Sequence, residues 1–110
     1  MKRLKGITLL TAVILTAALG RIQFQGHTET WYNRPMNRIV ATAQKRGING
    51  DYWERADGVK MYGRFAIVAA DYKTHPYGSI VETSRGTGIV LDTGEFTKKD
   101  PTAIDIAVTW

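Results

Sequence analysis

The sequence predicts a small, mainly β domain with one short N-terminal helix, built as a closed or nearly closed barrel. Three observations carry that expectation. Only the stretch around residues 35–46 repeats with a helical period. From residue 57 onward, short apolar runs alternate with turns rich in Gly, Pro and Asp. The last seven residues alternate between apolar positions and Asp, Ala or Thr, the period of a half-buried strand.

The first twenty residues stand apart from this pattern. Met1-Lys2-Arg3-Leu4-Lys5 is a basic start, Ile7 to Leu19 carries no charge, and Ala18-Leu19-Gly20 places small residues before Arg21. That is the layout of an export signal. A membrane-spanning helix needs about 17–25 apolar residues, so an uncleaved anchor is the lesser alternative. The chain is therefore expected outside the cytoplasmic membrane, secreted or held at the cell wall. Residues 21–34 are polar without a sustained period and read as a linker, with Arg21 to Trp31 alternatively a loosely docked arm, leaving residues 35–110 as the domain.

The export reading changes what the charge means. The chain has 15 basic and 10 acidic residues. Setting aside Lys2, Arg3 and Lys5 leaves 12 against 10, a net charge of +2. No basic stripe interleaved with aromatics is present, so nucleic acid is not an expected partner. An anionic polymer such as a cell wall suits the modest positive balance. The chain has no cysteine, which removes thiol catalysis and cysteine-based zinc sites. With only His27 and His75, a histidine-rich metal site is not expected either, and no cofactor is implied.

In chain order, Pro35 suits the first turn of a helix because its missing N–H would have been unpaired there. Met36, Ile39, Val40 and Ala43 then form one apolar stripe, and Gly47 is a natural stop. Asn49-Gly50-Asp51 turns the chain. A short strand follows around Val59 to Met61. Phe65 to Ala70 is apolar on both faces and should be a central, buried strand. After the His75-Pro76-Tyr77-Gly78 turn come a strand from Ser79 to Thr83, a glycine-rich hairpin, and a strand from Gly88 to Leu91. Thr93-Gly94 turns again, Lys98-Lys99-Asp100-Pro101 is a charged loop, and residues 104–110 form the last strand. Tight connections between about five such strands favour closure, which removes exposed edges.

Three acids of the C-terminal half lie inside or against apolar runs: Asp71, Asp92 and Asp105. Aspartate is disfavoured in strands, and a carboxylate beside a core is costly unless paired or hydrogen-bonded. Each alone reads as well as a turn cap. Three together suggest convergence, in which like charges resist simultaneous ionisation and one carboxyl becomes a general acid.

The ordered set Ala69-Ala70-Asp71, Pro76-Tyr77-Gly78, Gly88-Ile89-Val90-Leu91-Asp92-Thr93-Gly94 and Ile104-Asp105-Ile106 resembles the three-aspartate domain of bacterial cell-wall proteins. That domain is similar to the catalytic domain of membrane-bound lytic transglycosylase A. The resemblance covers Phe65 to Ile106 well and Met36 to Gly63 loosely. It implies a six-stranded double-psi β-barrel acting on peptidoglycan glycan strands. Two departures stand out: Glu95-Phe96-Thr97-Lys98-Lys99 replaces a glycine-rich stretch, and His75-Pro76-Tyr77-Gly78 replaces the commoner I-P-L-G turn.

The implied reaction cleaves the β-1,4 bond between the two wall sugars without water. The 6-hydroxyl of the muramic acid attacks intramolecularly and leaves a 1,6-anhydro end. One residue can protonate the leaving oxygen and then accept the hydroxyl proton, and Asp105 matches the third aspartate of the motif. Asp92 and Asp71 then tune or support it. Lys60, Tyr77, Thr93 and Gly94 are the substrate-binding candidates. An exposed turn lysine is the plainer reading of Lys60, and a core aromatic that of Tyr77 and Trp53. Glu95 reads as a solvated loop residue. Two rivals remain: a non-catalytic glycan-binding or structural wall domain, and a hydrolase using Asp105 and Asp92 with water.

Overall fold

The computed structural model describes residues 20–110, so the expected export segment, apart from Gly20, lies outside the described residues. Among those described there are eight strands and one α-helix, and the mainly β class with a single helix is as expected. In order they are β1 (Ile22–Phe24), β2 (His27–Tyr32), α1 (Asn37–Lys45), β3 (Tyr52–Glu54), β4 (Lys60–Tyr62), β5 (Phe65–Ala69), β6 (Ile80–Thr83), β7 (Gly86–Asp92), a 3-10 turn (Glu95–Lys98) and β8 (Ile104–Ala107).

Residues 21–34 are not a linker. Gln25 and Gly26 both take positive φ, 47° and 87°, the conformation of a two-residue type I′ hairpin loop. That loop pairs β1 with β2, with Phe24 opposite His27. β2 then lies parallel to β8, with Thr30 beside Asp105 and Tyr32 beside Ala107. Ile22 and Glu29 are fully buried, so this hairpin belongs to the domain.

The predicted buried strand is the hub of the sheet. β7 runs parallel along one edge of β5. The other edge is shared: Phe65 and Ala66 pair with β4, whereas Val68 and Ala69 pair with β8. This sharing makes the sheet fork, and the result is eight strands in an open sheet where six in a closed barrel were expected. The free ends are β1, β3 and β6, and the exposure is limited because they are only three, three and four residues long.

Each face of the sheet has its own core. On one, Val59, Met61, Val68, Val90, Ile104, Ile106 and Val108 pack together. On the other, Ile67, Ile89, Leu91 and Ala107 are covered by Met36, Ile39 and Ala43 of the helix segment. The predicted apolar stripe thus docks α1 on the sheet. Gly47, at φ 86°, ends the helix in the left-handed region, and the Ile48 amide caps the Ala43 carbonyl.

One irregularity positions the site. Along β5 and β7 the register runs Ala66–Gly88, Ile67–Ile89, Val68–Val90, and then jumps to Ala69–Asp92. Leu91 is therefore an extra residue, a β-bulge. Side chains alternate faces along a strand, so an unbulged β7 would turn Asp92 away from the helix face; the bulge re-aims it.

Candidate carboxylate site

Asp92 and Asp105 come together because β7 and β8 border the same point of β5. Ala69 is paired with Asp92 on one side and with Asp105 on the other. With Thr30 beside Asp105, one row across four strands reads Thr30, Asp105, Ala69, Asp92, on the helix face of the sheet. The methyl group of Ala69 is the smallest side chain that could separate the two acids without a glycine.

Asp92 is almost fully buried and richly bonded. Tyr32 Oη donates to Asp92 Oδ2 at 2.8 Å, Arg34 Nη1 approaches the same oxygen at 3.4 Å, and the Thr93 amide donates to Oδ1 at 2.9 Å. In a flat sheet β2 and β7 would lie roughly 14 Å apart, three strand spacings. The Tyr32–Asp92 bond spans them because the ring is long and the sheet curls. Burial, and then the neighbouring Asp92 carboxylate, push the Tyr32 phenol far above its ordinary range, so it is a fixed neutral donor.

Asp105 has a different environment. It is half-buried and accepts a hydrogen bond from Thr30 Oγ1 at 2.9 Å. Burial raises its pKa above the ordinary 3.8; the Thr30 bond partly offsets this, and the charge of Asp92 adds to the rise. The two acids are therefore unequal: one is held by three donors including a guanidinium, and the other is desolvated with one hydroxyl.

The third aspartate does not join them. Asp71 Oδ2 accepts from the Thr74 amide at 3.0 Å and from Thr74 Oγ1 at 2.9 Å, and its own carbonyl accepts from the His75 amide. These bonds hold its pKa below the ordinary carboxylate value. It caps the turn after β5, the plainer of the two sequence readings, and no hydrogen bond links it to Asp92 or Asp105 among the described residues.

The binding candidates divide. Tyr77 lines a cleft of about 180 Å³ that Asp92 also lines, together with Tyr72, Leu91, the helix residues Arg38 and Thr42, and Arg46 just past the helix end. Thr93 is exposed and does not line this cleft, and Gly94, fully extended, accepts from Thr97 to start the 3-10 turn. Lys60 is not an exposed turn lysine. It is 6 % exposed, and its Nζ donates to Asn33 Oδ1 at 2.7 Å and to the Arg34 carbonyl at 2.6 Å. It thereby fixes the segment that carries Arg34 to Asp92. It also lines a larger cavity of about 450 Å³, with Pro35, Met36, Val40, Tyr52 and Glu54, to which neither Asp92 nor Asp105 contributes. Trp53 is exposed on the edge strand β3 and donates to the Gly63 carbonyl. Glu95 is exposed and pairs with Lys98 at 2.8 Å, as a solvated loop residue should.

Thr30, Tyr32 and Arg34 are the residues that the sequence reading missed, and all three come from the stretch read as a linker. The available signal was local: Thr28, Thr30, Trp31 and Tyr32 are strong strand formers. Glu29 hid it. This carboxylate points into the opposite core, accepts from Ser84 Oγ at 2.5 Å and from the Ser84 amide, and lies 2.8 Å from His27 Nε2. Among the described residues no group of three His, Cys, Asp or Glu is placed to hold a metal ion.

The arrangement offers one desolvated carboxyl able to give and take a proton, one carboxylate held by fixed donors, and an adjacent cleft with aromatic and cationic walls. No family model, curated protein or solved structure matches the chain.

Proposed function

We propose that this is an exported peptidoglycan lytic transglycosylase, a three-aspartate domain that cuts the bond between muramic acid and the following glucosamine to leave 1,6-anhydro ends. The observation that carries the proposal is the inequality of Asp105 and Asp92 across Ala69. Asp105, raised mainly by burial, is the acid that protonates the leaving oxygen. As a carboxylate it then accepts the proton of the attacking 6-hydroxyl, so a single group serves both steps. Asp92, kept in place by Tyr32 and Arg34, faces the developing oxocarbenium charge. Asp71 becomes a turn residue in this scheme.

The double-psi β-barrel belongs to the proposal as well. Two parallel pairs, β2 with β8 and β5 with β7, in an otherwise antiparallel sheet support it, as does the curl that lets Tyr32 reach Asp92. The forked, open hydrogen-bonding order counts against full closure.

The site also accommodates a two-carboxylate hydrolase. Asp92 and Asp105 face the same side of the sheet from the two strands that flank Ala69, the paired-carboxylate arrangement such a reaction uses. Mass spectrometry of purified peptidoglycan after digestion separates the readings. Anhydro-muropeptides support the transglycosylase, and new reducing ends the hydrolase. Binding without any product, by protein shown to be folded, supports a glycan-binding wall domain.

A further inference from the structure

The cleft beside Asp92 has an unusual composition for a sugar site: its helical wall is cationic. Arg38, Thr42 and Arg46 follow one another at intervals of four, which places them in a line along the helix. Arg38 and Arg46 have no acidic side chain within ion-pair distance among the described residues, whereas Arg34 does, in Asp92. The Arg46 guanidinium carbon lies over the Tyr77 ring, 4.0 Å from its centroid. This contact anchors the guanidinium carbon, and the Arg46 donors have no hydrogen-bond partner among the described residues, so they can receive a carboxylate through two parallel bonds.

The rest of the lining is partly aromatic. Tyr72 meets Tyr77 edge to face at 5.8 Å and is 39 % exposed. The Tyr77 hydroxyl is buried without a partner among the described residues, so Tyr77 contributes its ring to the cleft. The negative charges there are the C-terminal end of α1, roughly −0.5, and Asp92, which lines the cleft but is paired with Arg34; against them stand the two full positive charges of Arg38 and Arg46. The field in the cleft therefore favours an anion. At about 180 Å³ the cleft is smaller than the roughly 300–1,000 Å³ of a drug-sized ligand site. It suits one unit of a polymer.

We infer that this cleft binds a carboxylate of the stem peptide carried by the muramic acid, with Arg38 and Arg46 as its ligands and Tyr72 against the adjoining sugar. The inference rests on the peptidoglycan reading of the aspartate site. The lactyl group is amidated where a stem peptide is attached, so the free carboxylates there belong to the peptide. A cleft of this kind directs the muramic acid, and not its neighbour, toward Asp92.

Calorimetric titration tests this with two soluble ligands. One is GlcNAc–MurNAc-tetrapeptide; the other is the same disaccharide stripped of peptide, whose lactyl carboxylate is free. Neither contains the bond to be cut, so binding is read without turnover. The native chain should bind the peptide-bearing ligand at least tenfold more tightly than R38Q/R46Q does, and the difference should shrink with added salt. The stripped disaccharide should bind both proteins alike. Equal affinity of both proteins for the muramyl peptide overturns the inference, as does the absence of measurable binding by folded native chain. A loss confined to the stripped ligand also overturns it, because the lactyl group would then be the anion recognised. Arginine-dependent binding without anhydro products would leave the cleft standing and remove the transglycosylase.

Discussion

Asp92 and Asp105 flank Ala69 from opposite sides of β5, in register on the face that α1 covers. Two features of the backbone make this possible. The fork gives the end of β5 a different neighbour on each edge, and the bulge at Leu91 turns Asp92 to the face that Asp105 already occupies. The chemistry proposed for the pair depends on their inequality, and that inequality has consequences that can be measured.

Stability should depend on pH through Asp105. Its folded pKa is raised above 3.8, so the folded chain holds this proton more tightly than the unfolded chain. The stabilisation is complete below the unfolded value and is lost as pH rises through the folded one. Urea titrations across acid to neutral pH should show this loss in the native chain. In Asp105→Asn the corresponding step should be missing, with the variant gaining relative to the native chain as pH rises. Parallel pH profiles would show that Asp105 is not desolvated in the folded protein.

Tyr32→Phe removes the 2.8 Å donor to Asp92 while keeping the ring. Losing a donor aimed directly at developing charge costs about 10²–10³ in rate; a donor acting through a carboxylate should cost less, roughly tenfold. The loss is expected in kcat with KM little changed, because the phenol orients a carboxylate and does not hold the substrate. A change confined to KM would place Tyr32 in substrate binding.

Asp71→Asn should keep activity within about threefold, since substitutions away from a site are mostly small in effect. Its two bonds to Thr74 serve a turn on the protein surface. Activity falling as far as in an Asp92 variant would restore Asp71 to the catalytic group.

Glu29→Ala should destabilise the fold by about 3 kcal/mol, because it removes the acceptor of the half-buried Ser84 donors and opens a cavity beneath β2. Chemical denaturation of the variant measures this directly. An unchanged midpoint would mean that the β1–β2 hairpin adds little to the domain.

The parts of this design that were legible in the sequence were those that follow a period. Met36, Ile39 and Ala43 announced the helix and its buried face, and the apolar run from Phe65 to Ala70 announced the central strand. Asp92 and Asp105 were visible as acids against apolar neighbours. The partners that distinguish them were not. Thr30 and Tyr32 lie on a strand whose inward positions include Glu29, and a buried carboxylate satisfied by a distant serine breaks the alternation that marks a strand. Asp71 carried the same local signal as the other two acids, and only the Thr74 contacts separate its role from theirs. Closure of the sheet was not legible either, because it depends on how β5 divides one edge between β4 and β8.

The most direct measurement is the product profile of Asp105→Asn beside the native chain on purified peptidoglycan, at matched concentration and with the fold of each verified. The native chain should release muropeptides ending in 1,6-anhydro-muramic acid, and the variant should release essentially none while still binding the wall. Anhydro products from Asp105→Asn at the native rate would contradict the assignment of Asp105 as the acid and base.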